Sequence, residues 1–279
     1  MSVDERSGAT TLPALDVLLS EDDVKACCAA VYAHPAVRWL LGDELHPGGE
    51  ATTRRALELI GVRAGERVLD VASGTGTSAL LAARELGCSV VGIEYGEGAV
   101  QAATAAARDQ GLGELVSFRR GDAEAVPFGD DEFDAVLCEC SLCTFPDKRL
   151  AVAEMRRVLE PGGRVALCDV VVERERLPAG LDGALATIAC VGEALSRQGY
   201  EDLLDGAGLR LTAVESRAAD AAVLARRVED RLRGVRILGL DTGAGSPLTT
   251  DEAIELVRSA QRAIADGALG YTLFAAHSA

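Results

Sequence analysis

Carboxylates standing at the ends of apolar runs, and thiols gathered a little further along, are the residues of this chain that could do chemistry. Asp70 sits in the apolar run Val68-Leu69-Asp70-Val71 and opens the pattern D-x-x-x-G-x-G, in which Ala72, Ser73, Gly74, Thr75 and Gly76 form a small-residue turn before an Ala/Leu-rich stretch. Such a turn lets a ligand lie against backbone, and the helix after it offers unpaired N–H groups and a positive dipole end. The spacing differs from G-x-x-x-x-G-K-S/T and no Lys follows the glycines, which argues against a triphosphate cradle. Glu94 closes a second apolar run that begins at Ser89. A carboxylate at the tip of the second strand of a nucleotide-binding sheet accepts from both ribose hydroxyls. Tyr95 beside it reads equally as a ring stacked on a base and as a plain rim residue. A third run, Val116 to Arg119, leads into Gly121-Asp122-Ala123, where a carboxylate can accept from an adenine amino group.

The thiols lie on the same predicted edge. A fourth strand, Ala135 to Cys138, delivers Glu139-Cys140-Ser141-Leu142-Cys143-Thr144-Phe145-Pro146-Asp147-Lys148 to the carboxyl end of the sheet, where open parallel sheets place their ligands. One C-x-x-C suggests a redox pair or half a zinc site, yet no second pair or paired His follows. Cys88 and Cys168, in or beside apolar strands, are assigned to the core, in keeping with the burial habit of thiols. His46, in the loop Gly42 to Gly49, is read as a solvated loop residue, and Gly48-Gly49 as a hinge.

These residues need elements to hold them. Apolar strands alternate with helical stretches from Arg67 onward, the clearest helices being 97–109 and 147–159, and such alternation predicts a parallel sheet with helices on both faces. Ser20-Glu21-Asp22-Asp23 caps an earlier helix bearing Cys27 and Cys28, which His34-Pro35 ends. Residues 1–60 read as an N-terminal helical cap and 61–175 as the nucleotide-binding core. Residues 176–279 read as a part that completes the sheet and covers the substrate side. In it, Leu209 to Ser216 and Tyr271 to His277 are strands, with helices at Ala221 to Leu232 and Thr250 to Ala265 and a Gly-rich loop from Gly239 to Pro247 between them.

At 279 residues and 48% apolar, the chain can bury a full core. Its net charge of -16 argues against nucleic acid, whose binding requires phosphate neutralisation. No apolar run is long enough for a membrane span, and the N-terminus has neither a basic start nor an apolar leader core, so a cytoplasmic protein is expected. In a reducing compartment the eight cysteines read as buried hydrophobes, metalloid ligands or catalytic thiols rather than disulfides.

The order of these motifs, with Phe133-Asp134-Ala135-Val136 and Arg157-Val158-Leu159-Glu160-Pro161-Gly162-Gly163, resembles the class I S-adenosylmethionine-dependent methyltransferases from about Glu66 to Val172. The resemblance implies a Rossmann-like parallel sheet with a final antiparallel strand and S-adenosylmethionine as cofactor. The implied contacts are Asp70, Ala72, Gly74 and Gly76 around the methionine part, Glu94 at the ribose and Asp122 at the adenine, with Ser73, Thr75, Tyr95, Ala123 and Cys138 as further cofactor-binding candidates. The competing reading of the first turn, a nicotinamide-dependent dehydrogenase, lacks the third glycine of its fingerprint, since Ala79 stands there.

A closer resemblance, to arsenite methyltransferases, rests on Cys140 ahead of Pro146-Asp147-Lys148, on Cys190-Val191-Gly192-Glu193-Ala194-Leu195 and on Ala26-Cys27-Cys28. It implies Cys140 and Cys190 as ligands of trivalent arsenic, with Cys28 or Cys27 closing the site and Cys143 as a further thiol. Arsenic is soft, thiolates can replace its hydroxyls, and its lone pair attacks a methyl group without a general base. Such ligands must stay reduced, which implies thioredoxin or a small thiol as reductant. Two other readings stand beside this one. The chain could be an O-, N- or C-methyltransferase of a small metabolite with His46, Glu139 or Asp169 as base, or a non-catalytic cofactor- or metalloid-binding protein.

Overall fold

A computed structural model describes residues 20–42, 45–181, 191–238 and 249–278. Strands β1 (Arg67–Val71), β2 (Ser89–Glu94), β3 (Val116–Arg120), β4 (Phe133–Glu139) and β5 (Leu159–Val172) pair in parallel, in the order β3-β2-β1-β4-β5. The sheet is completed by β7 (Leu269–Ser278), antiparallel to both β5 and β6 (Leu209–Ser216). This is the expected Rossmann-like sheet with an antiparallel end. β6 and β7 are neighbours without being a hairpin, because α8 (Ala218–Ile237) and α9 (Thr250–Ala265) intervene.

Strands β1, β4 and β7 are buried along almost their whole length because both faces of the sheet are covered there. On one face α3 (Glu50–Leu59), α4 (Thr77–Leu86) and α5 (Glu97–Asp109) pack with Cys88, Cys143, Cys168 and Tyr271. On the other, α6 (Lys148–Val158) and α7 (Arg197–Gly206) pack with Phe133, Met155, Tyr200 and Phe274. Burial of Phe133 or Met155 contributes about 1.5–3 kcal/mol each. Phe118 of β3 explains two glycines, since a side chain at Gly92 or Gly76 would overlap its ring.

Ahead of the sheet, α1 (Glu21–Ala33) ends where expected, and His34-Pro35 immediately starts α2 (Pro35–Leu41), with proline at the first turn and His34 Nδ1 accepting from the Ala36 N–H at 3.2 Å. A third apolar cluster, apart from the sheet, joins Leu40 and Leu41 of α2 to Val228 and Leu232 of α8 and Ile254 of α9. Arg231 of α8 donates to the Leu40 carbonyl at 2.9 Å, capping α2 from the side. The capping box of Thr249 and Glu252 fixes the start of α9 where the sequence predicts it, whereas α8 is longer than predicted at both ends. The Gly239–Pro247 loop and Cys190 lie outside the described residues. Among the described residues no helix is long and apolar enough to cross a membrane.

Candidate active site

Strand order reverses between β1 and β4, and at the carboxyl edge of that switch point lies a cavity of about 400 Å³. Both strands end in a non-glycine residue bent into the left-handed region, Ala72 (φ 57°) after β1 and Cys140 (φ 52°) after β4, and both residues line the cavity. Such conformations are costly and concentrate at functional sites.

At one end of the cavity the residues come from β1, β2 and β3. Asp70 is 3% exposed, and burial, followed by the charges of Glu139 and Glu94, holds its carboxyl well above the usual range. Asp70 Oδ2 and Ser73 Oγ are buried with no hydrogen-bond partner among the described residues, so each requires a polar group to complete it. Gly74 has φ 53°, and nothing stands within 4 Å of where its Cβ would be, so backbone faces the cavity directly. Its N–H donates to Glu94 Oε2 at 3.1 Å, while the Gly96 N–H donates to Oε1 at 2.8 Å. Asp122 accepts from the Glu124 N–H at 2.9 Å and from Lys25 Nζ at 2.8 Å. Thr75, Ala123 and Tyr95 also line this end, with the Arg120 guanidinium over the Tyr95 ring at 5.5 Å. The carboxylates of Glu94, Asp122 and Glu139 line the cavity together with the cationic side chains of Lys25 and Arg38.

The other end is assembled from separate elements. Glu139, at the tip of β4, accepts from Ser78 Oγ of α4 at 2.6 Å and from Thr53 Oγ1 of α3 at 3.0 Å. His46 Nε2 lies 4.0 Å from Glu139 Oε2, and the His46 side chain is only 7% exposed. The expectation of a solvated His46 is therefore corrected. Its loop turns through Gly48 (φ 81°) and Gly49 (φ 50°), and a side chain at Gly48 would overlap Thr52 Oγ1. Cys28, Tyr32 and Arg38 complete the wall from α1 and α2, and Thr144 and Phe145 complete it from the loop after β4.

Four of the singled-out residues stand elsewhere. Cys27 is exposed, because neighbours on a helix are more than a quarter-turn apart and only Cys28 turns to the cavity. Cys143 is buried in the core, its backbone N–H donating to Asp169 Oδ2 at 2.9 Å. Cys138 is also core, its Sγ 3.2 Å from Ser141 Oγ, and burial pushes the thiol up. Gly76 serves packing against Phe118 rather than the cavity. Cys190 is outside the described residues, so only Cys28 and Cys140 of the implied thiols are seen together. Among the described residues no three His, Cys, Asp or Glu side chains form a metal-holding group. Cys88 and Cys168 are core thiols, as expected, with burial raising Cys88 to about 11.

Sequence reasoning missed Thr53, Ser78 and Lys25. Thr53 had a visible signal, a polar residue on the buried stripe of α3 beside Ala56 and Leu57. Ser78 and Lys25 had none, since their partners lie far along the chain.

Residues 63–205 match the family model described as a methyltransferase domain. Methyltransferase GfsG of Streptomyces halstedii is 34% identical over 171 residues, which is 61% of this chain and 62% of that protein's length. The 27-O-demethylrifamycin SV methyltransferase of Amycolatopsis mediterranei is 32% identical over 213 residues, covering 71% of this chain and 78% of its own. A geranyl diphosphate methyltransferase, solved in complex with S-adenosylmethionine, shares the fold with a TM-score of 0.68 at 21% identity, over 90% of this chain and 94% of that one.

Proposed function

The chain belongs to the methyltransferase-domain family, and from that premise we propose that it methylates a hydroxyl group of a small organic metabolite, with His46 as general base. S-adenosylmethionine, when bound, supplies an electrophilic methyl group. Asp70 and Ser73 would complete their bonding on its polar methionine end, Glu94 on the ribose and Asp122 on the base. The observation behind the choice of acceptor is the His46–Glu139 pair, 4.0 Å apart and lining the cavity. A hydroxyl must lose a proton as it is methylated, and His46 Nε2 can take it while the Glu139 carboxylate faces the imidazolium that forms. Thr53 and Ser78 fix Glu139 by donating to it, and so orient the pair. Methylation of small organic molecules is also what the name of the rifamycin relative describes for that protein.

A second reading has its own observation. Cys28 and the conformationally strained Cys140 line the same cavity, which suits a thiophilic acceptor such as arsenite, with Cys190 as a third ligand and thioredoxin or a small thiol as reductant. One assay separates the two. S-adenosylhomocysteine release is measured with S-adenosylmethionine and a panel of small alcohols and phenols, and separately with arsenite and a thiol reductant. The first reading expects release with a hydroxyl acceptor and retention of that activity in Cys140→Ser. Release that requires arsenite and vanishes in Cys140→Ser would replace it with the second.

A further inference from the structure

Helix α1 lies along the cavity with Lys25, Cys28, Ala29 and Tyr32 in its wall, yet none of its described side chains is fully buried. An element with so little apolar burial is held by its polar contacts and opens easily when they fail. Lys25 is the only basic residue of α1, and its side chain is 11% exposed. Its Nζ sits 2.8 Å from Asp122 Oδ2 and 2.5 Å from Glu124 Oε2, and the Glu124 side chain is 5% exposed. Glu124 also accepts from the Asp147 N–H at 2.8 Å, so Lys25 is tied through it to the start of α6. A Cβ at Gly96, in the turn that holds Glu94, would lie 3.5 Å from Ala29 of α1. The helix therefore spans from the Asp122 loop to the Glu94 turn, across the end of the cavity assigned above to the nucleoside.

We propose that α1 is a strap over the nucleoside end of the donor site and that Lys25 is its latch, so that exchange of the donor requires the Lys25–Asp122–Glu124 ion pairs to break. This rests on the donor site proposed above. The latch makes Lys25 a positioning residue, acting on ligand exchange through the helix that bears it.

The test measures S-adenosylhomocysteine dissociation from the full chain by surface plasmon resonance, with hydrogen–deuterium exchange of α1 in the same complex. Lys25→Met is expected to speed dissociation about tenfold, as loss of a desolvated charge pair acts mainly on the off-rate, and to raise exchange across α1. Glu124→Gln, at a residue outside the cavity wall, is expected to move both readouts the same way, and Lys25→Arg to restore them. Intact binding with an unchanged off-rate in Lys25→Met would overturn the latch alone. So would a faster off-rate without any rise in α1 exchange, which would make Lys25 a direct ligand contact. Failure of the parent chain to bind S-adenosylhomocysteine would overturn the donor site, and the latch with it.

Discussion

The two ends of the cavity are built differently. The donor end is backbone and carboxylate at the tips of three adjacent parallel strands, where Gly74 N–H, Gly96 N–H and Glu94 hold one another. The acceptor end is a junction of α2, the loop before α3, α3 itself, the start of α4 and the tip of β4, joined by side chains such as Thr53, Ser78 and Glu139. One end is fixed by sheet register, the other by how separate pieces dock. The first should tolerate change at the second, and the reverse should hold less well, because every acceptor-side element ultimately leans on the sheet.

That asymmetry can be broken by experiment. His46→Gln should lower kcat/KM for a hydroxyl acceptor by about 10²–10⁴-fold while leaving S-adenosylhomocysteine affinity by calorimetry within about twofold; a comparable loss of affinity would mean that the two ends are not separable. Glu94→Ala removes an acceptor held by two backbone N–H groups and should weaken S-adenosylhomocysteine binding by about 10–100-fold, as for a lost charged hydrogen bond. Gly92→Ala should destabilise the fold by about 1–3 kcal/mol through overlap with Phe118, read from the denaturant midpoint. Asp70→Asn gives the smallest change and sharpens the contrast. Burial raises the native carboxyl pKa, so the native state holds its proton more tightly than the unfolded chain, and stability falls as pH rises from about 4. The Asn variant should therefore be the more stable protein at pH 7, with the gap closing toward pH 4, even as it binds the donor less well.

The same division explains what could be read from the sequence. Strand tips and the turns after them are local, so Asp70, Gly74, Glu94 and Asp122 announce themselves through apolar runs and spacing, and the helix 97–109 and the strand Leu209–Ser216 have the bounds that their periodicity predicts. His46 reads as solvated because its loop turns through two left-handed glycines, and nothing local in a sequence marks a loop as folded inward. The thiols misled in part for the same reason. Adjacent cysteines look alike in a sequence, but only Cys28 faces the cavity, and Cys143 turns into the core because Asp169 anchors its backbone.

The small cluster of Leu40, Leu41, Val228, Leu232 and Ile254 stands outside both sheet faces, and it supports α2, which brings Arg38 to the acceptor wall. Substitutions in α8 and α9 can thus drift, lengthen or shift α2 while the methyl-donor machinery is inherited unchanged. The helix pair is a place where descendants of this chain could acquire new acceptors by ordinary surface variation, with no mutation in the residues that perform the reaction.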